Sequence, residues 1–533
     1  MICTSDDMPT RHPAQRWASN AVRGVMNLCL CTFVMLLLPS TAFAGESEGG
    51  AMAYLSELAP IAILLVVITI AIGRLPKVEG LGHSDAYLRR RIMNWLPLGL
   101  TYAFLYMGRY NIKVSQHKFG DIMYEGAPLM TNSDFATIFF WGTLTYGCSF
   151  VINGPLTDRF GGRFSILVGA AGSSVMNLLM GLVTWQIVSG GSSAEMFSAN
   201  LTTLFSALYA INMYFQSFGA VAIVKCNAPW FHVNERGVFG AIFGILISLG
   251  IYFAFDVGYM IIENFDLQYV FLIPTVLLAV FWVLDFFIVK NTPGEAGYDD
   301  FDTADASSGD DGPQLGAVTV LKLMLKNPVI MTIACIEFCS GFLRQAIMQW
   351  FRTFAKQTND VLGLKESFVY DNWGLLLCCA GILGGVLAGV ISDRVFQSRR
   401  GPVAGILYAG MLLGAVVMAF TYETSMLPWL VVLMSMCVIG VHGMLSGTAS
   451  MDFGGRKNVG VAVGIIDGFV YAGTAVMSIM YGFILPDDAV PAEAANPENW
   501  IWWPVSMIPV AVIGFYLSTK VWNAKPKPKA KAQ

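Results

Sequence analysis

The sequence predicts an all-α polytopic membrane protein, built from two pseudo-symmetric six-helix bundles and one extra N-terminal transmembrane helix. Of its 533 residues, 55% are hydrophobic and only 13% are charged, and the mean hydropathy is +0.60. Water-soluble domains carry about 25% charged residues, so this composition excludes a chain of soluble domains. Two further observations support the prediction: apolar runs of membrane-spanning length, and a pattern of residues that recurs in both halves.

The N-terminus has the pattern of an export signal. Three arginines precede an apolar run over 25–38, namely Arg11, Arg16 and Arg23. An Ala-Phe-Ala-Gly segment follows at 42–45. A basic segment, an apolar core and an A-x-A site are typical of a signal peptide, so residues 1–44 are predicted to be one, with cleavage after Ala44. An uncleaved anchor helix is the alternative.

The next apolar run, 51–73, is long enough to cross a membrane once. Residues 45–75 are therefore predicted to form the extra transmembrane helix. If the signal is cleaved, the mature N-terminus is external and this helix crosses inward. The helix is a candidate docking element for a membrane-bound partner, or it serves only insertion.

Twelve further apolar runs fall into two sets of six. The runs lie near 95–112, 135–154, 164–188, 201–224, 237–262, 269–289, 328–351, 371–391, 403–420, 427–449, 459–485 and 500–522. They predict a first bundle over 90–290, a second bundle over 328–522 and a basic cytoplasmic tail over 523–533. The interval 291–314 holds seven acidic residues and no basic one. This favours a solvated acidic linker over 291–327 rather than a specific cation site.

The distribution of basic residues predicts the orientation. Alternating membrane sides places 22 of the 32 Lys and Arg residues in cytoplasmic segments and five in external ones. The external five are Lys113, Lys118, Arg352, Lys356 and Lys365. This asymmetry follows the positive-inside rule and predicts a bacterial-type inner-membrane protein with a cytoplasmic C-terminus. With three arginines in the signal, two remain for the membrane interior, Arg109 and Arg344.

The two halves share a repeat in register. Gly154–Arg159 reads Gly-Pro-Leu-Thr-Asp-Arg, and 389–394 reads Gly-Val-Ile-Ser-Asp-Arg. Arg109 lies 49 residues before the Asp of the first motif, and Arg344 lies 49 residues before that of the second. Transporters commonly consist of such repeats and bind substrate near the membrane midplane between them.

The longer run over 154–163, Gly-Pro-Leu-Thr-Asp-Arg-Phe-Gly-Gly-Arg, resembles the cytoplasmic loop signature of the major facilitator superfamily. The resemblance implies that fold and a conformational latch in this loop. The implied latch residues are Asp158, Arg159 and Arg163, with Asp393 and Arg394 as a weaker counterpart in the second half.

The two intramembrane arginines are the candidate substrate-binding residues. A charge at bilayer depth is costly unless it is paired or faces water, so such a residue is a functional candidate. Two guanidinium groups facing one cavity suit a divalent oxyanion such as phosphate or carboxylate. Tyr102 and Tyr106 share a helical face with Arg109 and are candidates for the same site. The structural alternative is two buried salt bridges, with Glu337 and Asp467 as partners.

The segments Tyr102-x3-Tyr106-x2-Arg109-Tyr-Asn and Phe-Leu-Arg344-Gln resemble the organophosphate:phosphate antiporters, which include glycerol-3-phosphate and hexose-6-phosphate transporters. The resemblance spans about residues 90–522 and implies that both arginines bind phosphate while the tyrosines line the cavity. The chain departs from the family pattern at Phe150, at 244–248 and at Cys378, where the family carries Lys, an Asn-x-x-His-Asn cluster and an acid.

Three acids in apolar runs are candidates for proton coupling: Glu337, Asp467 and Asp256. Each could instead neutralise an arginine or bind backbone, and the residues leave both open. His442 is a candidate proton relay, although a hydrogen-bonded core histidine is the commoner outcome.

The predicted function is secondary transport of a small organic anion, an organic phosphate in exchange for inorganic phosphate. The alternatives are a transport-like receptor for an external phosphate ester and a proton-coupled carboxylate symporter. A membrane enzyme is disfavoured because no catalytic constellation assembles, and no ATP-binding loop is present. The net charge of −4 gives no reason to expect a nucleic-acid partner, and the ten cysteines show no metal-binding or redox spacing. The predicted partners are a small anion and the lipid bilayer, with no cofactor.

Overall fold

Among the residues that the structure describes, twelve long helices make up most of the protein. A computed structural model describes residues 83–232, 244, 246–301, 317–396 and 399–524, with no description of the side chains at 317–318, 390, 393–394 and 447–460. The predicted signal peptide, the predicted extra helix at 45–75, residues 302–316 of the predicted linker and the predicted tail from 525 lie outside these residues.

The helices of the first half are α1 Asp85–Gly120, α2 Asn132–Phe160, α3 Gly162–Val188, α4 Leu201–Asn227, α5 Leu246–Asn264 and α6 Tyr269–Ile288. Those of the second half are α7 Pro328–Gln357, α8 Trp373–Arg394, α9 Arg400–Thr421, α10 Leu427–His442, α11 Ser450–Ile484 and α12 Trp502–Lys520. The predicted two sets of six helices are confirmed.

Short elements connect these helices. Strands β1 Met123–Tyr124 and β2 Ala127–Pro128 form an antiparallel hairpin after α1. The short α-helices are Ala194–Ala199, Ala317–Leu325, Asn359–Leu362, Phe368–Asp371 and Pro491–Ala495. The 3₁₀ turns are Ala228–Trp230, Gly294–Ala296, Leu364–Glu366 and Pro497–Trp500, and π-helical segments occupy Phe253–Val257 within α5 and Gly443–Ala449 after α10.

Local sequence determines where the helices begin. The Thr131 hydroxyl accepts the Asp134 N–H, and the Asp134 carboxylate accepts the Thr131 N–H, a capping box that starts α2. Asn327 caps α7 through the N–H groups of its first turn, and Pro328 occupies the first helical position, where no N–H donor is needed.

Length and composition support membrane crossing. Within the described part of the chain, ten helices are long and apolar enough to span a membrane. The remaining two long helices are α1, which carries several charged residues, and α8, whose apolar part is shorter.

Glycines let α7 and α11 approach closely. A Cβ atom added at Gly341 of α7 would lie 1.9 Å from the Val470 carbonyl oxygen of α11. One added at Gly473 of α11 would lie 2.0 Å from the Phe338 carbonyl oxygen of α7. Small residues at such contacts are typical of membrane helix packing, where close backbone approach replaces the hydrophobic driving force. This packing fixes the position of α11 beside the arginine of α7.

Candidate anion-binding site

Arg109 of α1 donates hydrogen bonds to side chains of three other helices. Its side chain is 1% exposed. Nε donates to Gln216 Oε1 of α4 at 2.9 Å, and Nη2 donates to the Tyr146 hydroxyl of α2 at 2.7 Å. Nη1 donates to the Tyr471 hydroxyl of α11 at 3.0 Å, so one of its partners belongs to the second half. These bonds use three of the five N–H donors of the guanidinium, which leaves two for a ligand.

Aromatic rings surround the same guanidinium. Its Cζ lies 4.6 Å from the ring centroid of Tyr106 and 4.6 Å from that of Tyr146. Tyr102 packs edge-on against Tyr106, with 5.4 Å between ring centroids. The structure therefore brings both sequence-predicted tyrosines and Arg109 together. Ring faces carry negative potential, so this arrangement helps to stabilise a buried cation without a carboxylate partner.

Arg344 of α7 lies beside the ring of Tyr471. Its side chain is 8% exposed, and its Cζ is 6.0 Å from the Tyr471 ring centroid. Among the described residues, neither Nε nor Nη2 of Arg344 has a hydrogen-bond partner. Buried polar groups are nearly always hydrogen-bonded, so donors left unpaired at this depth point to a ligand with acceptor oxygens. Tyr471 contacts both arginines and joins them into one site.

The carboxylates that were the alternative partners of these arginines bond elsewhere. Glu337 Oε2 lies 2.9 Å from His442 Nδ1, and Asp467 accepts a hydrogen bond from the Ser446 hydroxyl. No ion pair joins either acid to Arg109 or Arg344 in the ranges that the structure describes. In the described residues, the two arginines therefore do not form the buried salt bridges with Glu337 and Asp467 that were the alternative.

Asp256, the third candidate coupling acid, binds backbone and forms no ion pair with Arg109 or Arg344 in the described ranges. Its two carboxylate oxygens accept the backbone N–H groups of Gly374 at 2.6 Å and Leu375 at 2.7 Å. These N–H groups belong to the first turn of α8, whose helix dipole favours a negative charge there. Asp256 belongs to the first half and α8 to the second, so this carboxylate joins the two.

Lys113 and Arg352, which the charge count assigned to external segments, are buried within helices instead of lying in exposed loops. Lys113 is 1% exposed and donates to Gln116 Oε1 at 2.7 Å and to Thr353 Oγ1 at 2.6 Å. Arg352 is 6% exposed, and its Cζ lies 3.5 Å from the Tyr259 ring centroid. The physical reason is that α1 and α7 continue past the apolar runs to Gly120 and Gln357, carrying both cations into the protein.

A second carboxylate, Asp488, also caps a helix of the other half. Asp256 of the first half binds the start of α8, whereas Asp488 of the second half binds the start of α2. It follows α11 and accepts the Asn132 backbone N–H at the start of α2 at 2.8 Å and Gln357 Nε2 at 2.9 Å. Burial raises the pKa of this carboxyl to about 6. We call the contacts of Lys113, Asn132, Asp256, Thr353 and Asp488 the outer joint. The predicted topology places the helix ends that carry these contacts on the external side of the membrane.

The predicted latch residues occupy the opposite ends of the helices. Asp158 forms an ion pair with Lys225 of α4, with 2.6 Å between Oδ1 and Nζ. The Arg163 side chain donates to the Phe286 carbonyl, and its backbone N–H donates to Asn291 Oδ1 at 2.9 Å. Arg159 is exposed and lies beside the ring of Phe160. These contacts lie within the first half and the first residue of the predicted linker, and the side chains of Asp393 and Arg394 are outside those described.

Sequence relatives agree with the resemblance found in the motifs. The chain is 23% identical to the "Glycerol-3-phosphate transporter" of Bacillus subtilis, covering 84% of this chain and 96% of that one. It is 24% identical to the "Membrane sensor protein UhpC" of Salmonella typhimurium, with 73% and 84% covered. It is 21% identical to a "Probable hexose phosphate transport protein" of Chlamydia trachomatis, with 82% and 92% covered. The predicted resemblance to the organophosphate:phosphate antiporter family is confirmed.

Solved structures show the same fold at lower identity. A nucleoside transporter, NupG, aligns with a TM-score of 0.55 at 11% identity, over 82% of this chain and all of that one. A bacterial homologue of the lysosomal transporter Spinster aligns with a TM-score of 0.57 at 13% identity, over 84% of this chain and all of that one. The family model described as Major Facilitator Superfamily matches residues 98–478. The chain therefore belongs to the major facilitator superfamily.

Proposed function

We propose that this protein is a secondary transporter that exchanges a small organic phosphate for inorganic phosphate by alternating access. The observation that carries the proposal is the pair of buried arginines from opposite halves, joined by Tyr471, with Arg344 Nε and Nη2 unpaired among the described residues. The glycerol-3-phosphate and hexose phosphate transporters among the relatives support the same substrate class.

A phosphate group suits the donors that the arginines offer. Arg109 retains two N–H donors beyond its bonds to described residues, and Arg344 contributes the donors of Nε and Nη2, which have no partner among the described residues. Guanidinium groups bind phosphate oxygens bidentately through charge-assisted hydrogen bonds. The anion would lie between α1 and α7, and Tyr102 and Tyr106 would line the pocket beside it.

Binding at this position links the ligand to the conformational change. Arg109 belongs to the first half and Arg344 to the second, so an anion held by both contacts each half at once. A ligand shifts a conformational equilibrium only through differential affinity for the two states. A phosphate bridging both arginines favours the states in which they are close, and this lets the loaded protein pass between its inward-facing and outward-facing forms.

The second candidate function is a receptor for an external phosphate ester. The observation that favours it is the similarity to a membrane sensor protein among the relatives. In this alternative the predicted helix at 45–75 docks a membrane-bound partner. Deleting residues 45–75 distinguishes the two: a transporter retains uptake after the deletion, whereas a receptor loses signalling while ligand binding persists.

The transport proposal is tested with purified protein in phosphate-loaded liposomes. Efflux of labelled phosphate is followed after adding external inorganic phosphate, phosphate esters or carboxylates. Efflux that requires an external phosphate compound and is lost in Arg109→Lys and Arg344→Lys is the expected result. Efflux at the wild-type rate in either variant would overturn the proposal, as would a response to carboxylates alone.

A further inference from the structure

Two buried cations, Lys113 and Arg352, lie between the outer joint and the arginine pair, Arg109 and Arg344. Lys113 follows Arg109 by four residues on the same face of α1, an axial rise of about 6 Å. Arg352 follows Arg344 by eight residues on α7, a rise of about 12 Å. The two cations interact electrostatically, so they form a second positive centre on the outer side of the arginine pair.

Arg352 has donors that no described residue accepts. Its side chain is 6% exposed, and its Nε is buried without a hydrogen-bond partner in the part of the chain that the structure describes. Its Cζ lies 3.5 Å from the ring centroid of Tyr259 in the first half and 4.0 Å from that of Tyr370 in the second. The rings stabilise the cation but supply no oxygen in the guanidinium plane. A buried guanidinium with an unpaired donor points to a ligand with acceptor oxygens.

Lys113 is likewise held by neutral groups only. Its Nζ donates to Gln116 Oε1 at 2.7 Å and to Thr353 Oγ1 at 2.6 Å, and it lies 4.4 Å from the ring centroid of Phe135 and 5.4 Å from that of Trp350. An ammonium group has three donors, so one remains after these two bonds. A buried cation is costly unless it is paired, and no ion pair to Lys113 is present among the residues described.

The nearby acids use their oxygens elsewhere. Asp488 interacts electrostatically with Lys113, and Asp256 does so with Arg352. Both carboxylates accept backbone N–H groups, Asp488 at the start of α2 and Asp256 at the start of α8. Asp371, the third acid near Arg352, is exposed to solvent. These acids compensate part of the positive charge without accepting hydrogen bonds from the two cations.

We propose that Lys113 and Arg352 form a second anion-binding site, which we call the outer anion site. A phosphate group entering from the external side binds there before it reaches the arginine pair. The ligand class is inorganic phosphate or the phosphate group of an ester, because ammonium and guanidinium both form charge-assisted hydrogen bonds with its oxygens. The proposal rests on the proposed function, since the bound phosphate is cargo on its way to Arg109 and Arg344.

His117 supplies a third polar group to the outer anion site. Its Nε2 is buried and has no hydrogen-bond partner in the described ranges. His117 interacts electrostatically with Lys113, Arg352 and Lys356, so all four basic groups are neighbours. Lys356 differs from the others because it forms an ion pair with Asp121, with 3.2 Å between Nζ and Oδ1. In the tautomer that carries its proton on Nε2, His117 donates to the same anion.

Opening of the outer joint makes the site available to an external anion. The hydrogen bond from Lys113 to Thr353 crosses between the halves, so separation of the halves at this end breaks it and returns a donor to Lys113. A cleft with an excess of one charge attracts ions of opposite sign and raises their local concentration. The short axial rise from Lys113 to Arg109 then lets the anion move inward without crossing an uncharged region.

Membrane vesicles loaded with unlabelled phosphate test the outer anion site from both sides. Initial rates of labelled phosphate entry give the external KM in right-side-out vesicles and the cytoplasmic KM in inverted ones. Lys113→Gln and Arg352→Gln are each expected to raise the external KM about tenfold, because a charge-assisted hydrogen bond to phosphate is lost. The cytoplasmic KM is expected to match that of the wild type. An unchanged external KM, or an increase of the cytoplasmic KM alone, would overturn the proposal.

Three control variants separate anion binding from other effects. Lys118→Gln and Lys365→Gln each remove an exposed positive charge from segments that the predicted topology places outside, and both should keep the wild-type KM values. Thr353→Val removes the contact that Lys113 makes in the closed joint but keeps the cation. Loss of a closing contact favours the outward-open form and lowers the external KM, which is opposite in sign to loss of an anion site. An equal increase in Thr353→Val and Lys113→Gln would therefore assign the effect to the joint and overturn the proposal.

Equilibrium binding of labelled inorganic phosphate distinguishes failure of this proposal from failure of the proposed function. A double variant with Arg109→Lys and Arg344→Lys should retain a weaker class of phosphate binding, and adding Lys113→Gln should reduce its affinity about tenfold. Absence of that residual binding would overturn the outer anion site alone. Residual binding together with a wild type that exchanges no phosphate would contradict the proposed function alone. Thermal unfolding midpoints equal to that of the wild type show that each variant is folded.

Discussion

Tyr471 is the side chain that contacts both arginines of the proposed site. Its hydroxyl accepts from Arg109 Nη1, and its ring lies beside Arg344. Because Tyr471 belongs to α11 and Arg109 to α1, the hydrogen bond crosses between the halves. A buried hydroxyl that accepts from a guanidinium fixes the orientation of its remaining donors, and in the proposed function this orientation preorganises the arginine for an anion.

Tyr471→Phe should therefore weaken phosphate binding without unfolding the protein. A hydrogen bond to a charged group contributes about 1.5–3 kcal/mol, and we expect an affinity loss of about tenfold after partial compensation by water. The control is Tyr481→Phe on the same helix, whose hydroxyl bonds to Ser506 instead. Equilibrium binding of labelled phosphate measures both variants. Equal affinity in Tyr471→Phe and the wild type would contradict the bridging role.

The site residues that share one helix could be predicted from the sequence. The site residues that other helices contribute could not. The spacing of Tyr102, Tyr106 and Arg109 places them on one helical face, and the structure confirms that arrangement. Gln216 and Tyr471 were missed because their positions depend on how α4 and α11 pack against α1. Lys113 offered a signal, since it lies four residues after Arg109 on the same face, but its burial depends on Thr353 of the other half.

At the scale of the helices, the sequence predicts where the spans lie but not how they pack. Hydropathy predicted the helices because each span must satisfy its backbone hydrogen bonds internally. Hydropathy did not predict the ends of α1 and α7. Each helix contains a buried cation, which terminates the apolar stretch of sequence although the helix continues. The close contact of α7 with α11 could not be predicted either, since it depends on glycines of both helices meeting in space.

Gly473→Ala should destabilise the protein, because the new methyl group would collide with the backbone of Phe338. Overpacking of this kind costs about 1–3 kcal/mol. Gly385→Ala in α8 is the matched control, since a Cβ atom there meets nothing within 4 Å. Thermal unfolding in detergent should show a lower midpoint for Gly473→Ala only. Equal midpoints for the two variants would contradict the packing.

At the scale of the whole molecule, the outer joint contains a reciprocal pair of caps. Asp256 of the first half binds the start of α8, and Asp488 of the second half binds the start of α2. Lys113 adds a hydrogen bond to Thr353 between them. Opening of the two halves at this end requires each carboxylate to exchange helix N–H groups for water.

Asp256→Ala should shift the protein toward the form that is open at the outer joint. The loss leaves two N–H groups of α8 without their carboxylate and removes a favourable charge at a helix N-terminus. Spin labels at Met123 and Val361, both exposed and in different halves, should report longer distances in a cysteine-free background. Glu263→Ala, an exposed acid of the same helix, is the control. An unchanged distance distribution in Asp256→Ala would exclude a closing role for this carboxylate.

Asp488 should make this equilibrium depend on external pH. Its pKa is about 6 in the closed joint, against an ordinary value of 3.8, so the closed form binds more protons between these values. Acidification below pH 6 should therefore favour closure, and this preference should be lost as the pH rises above 6. The same spin-label pair, titrated without substrate at constant internal pH, measures the effect. Asp488→Asn should remove the dependence, and a dependence that persists in this variant would assign it to another group.

The central claim is that Arg109 and Arg344 together bind a phosphate group. Equilibrium binding of labelled inorganic phosphate to the purified protein tests it most directly, with Arg109→Lys, Arg344→Lys and the exposed control Arg159→Lys. Lysine keeps the charge but loses the planar fork of donors, so each of the first two variants should lose at least about tenfold in affinity. The control should bind as the wild type does. Wild-type affinity in either Arg109→Lys or Arg344→Lys would contradict the account.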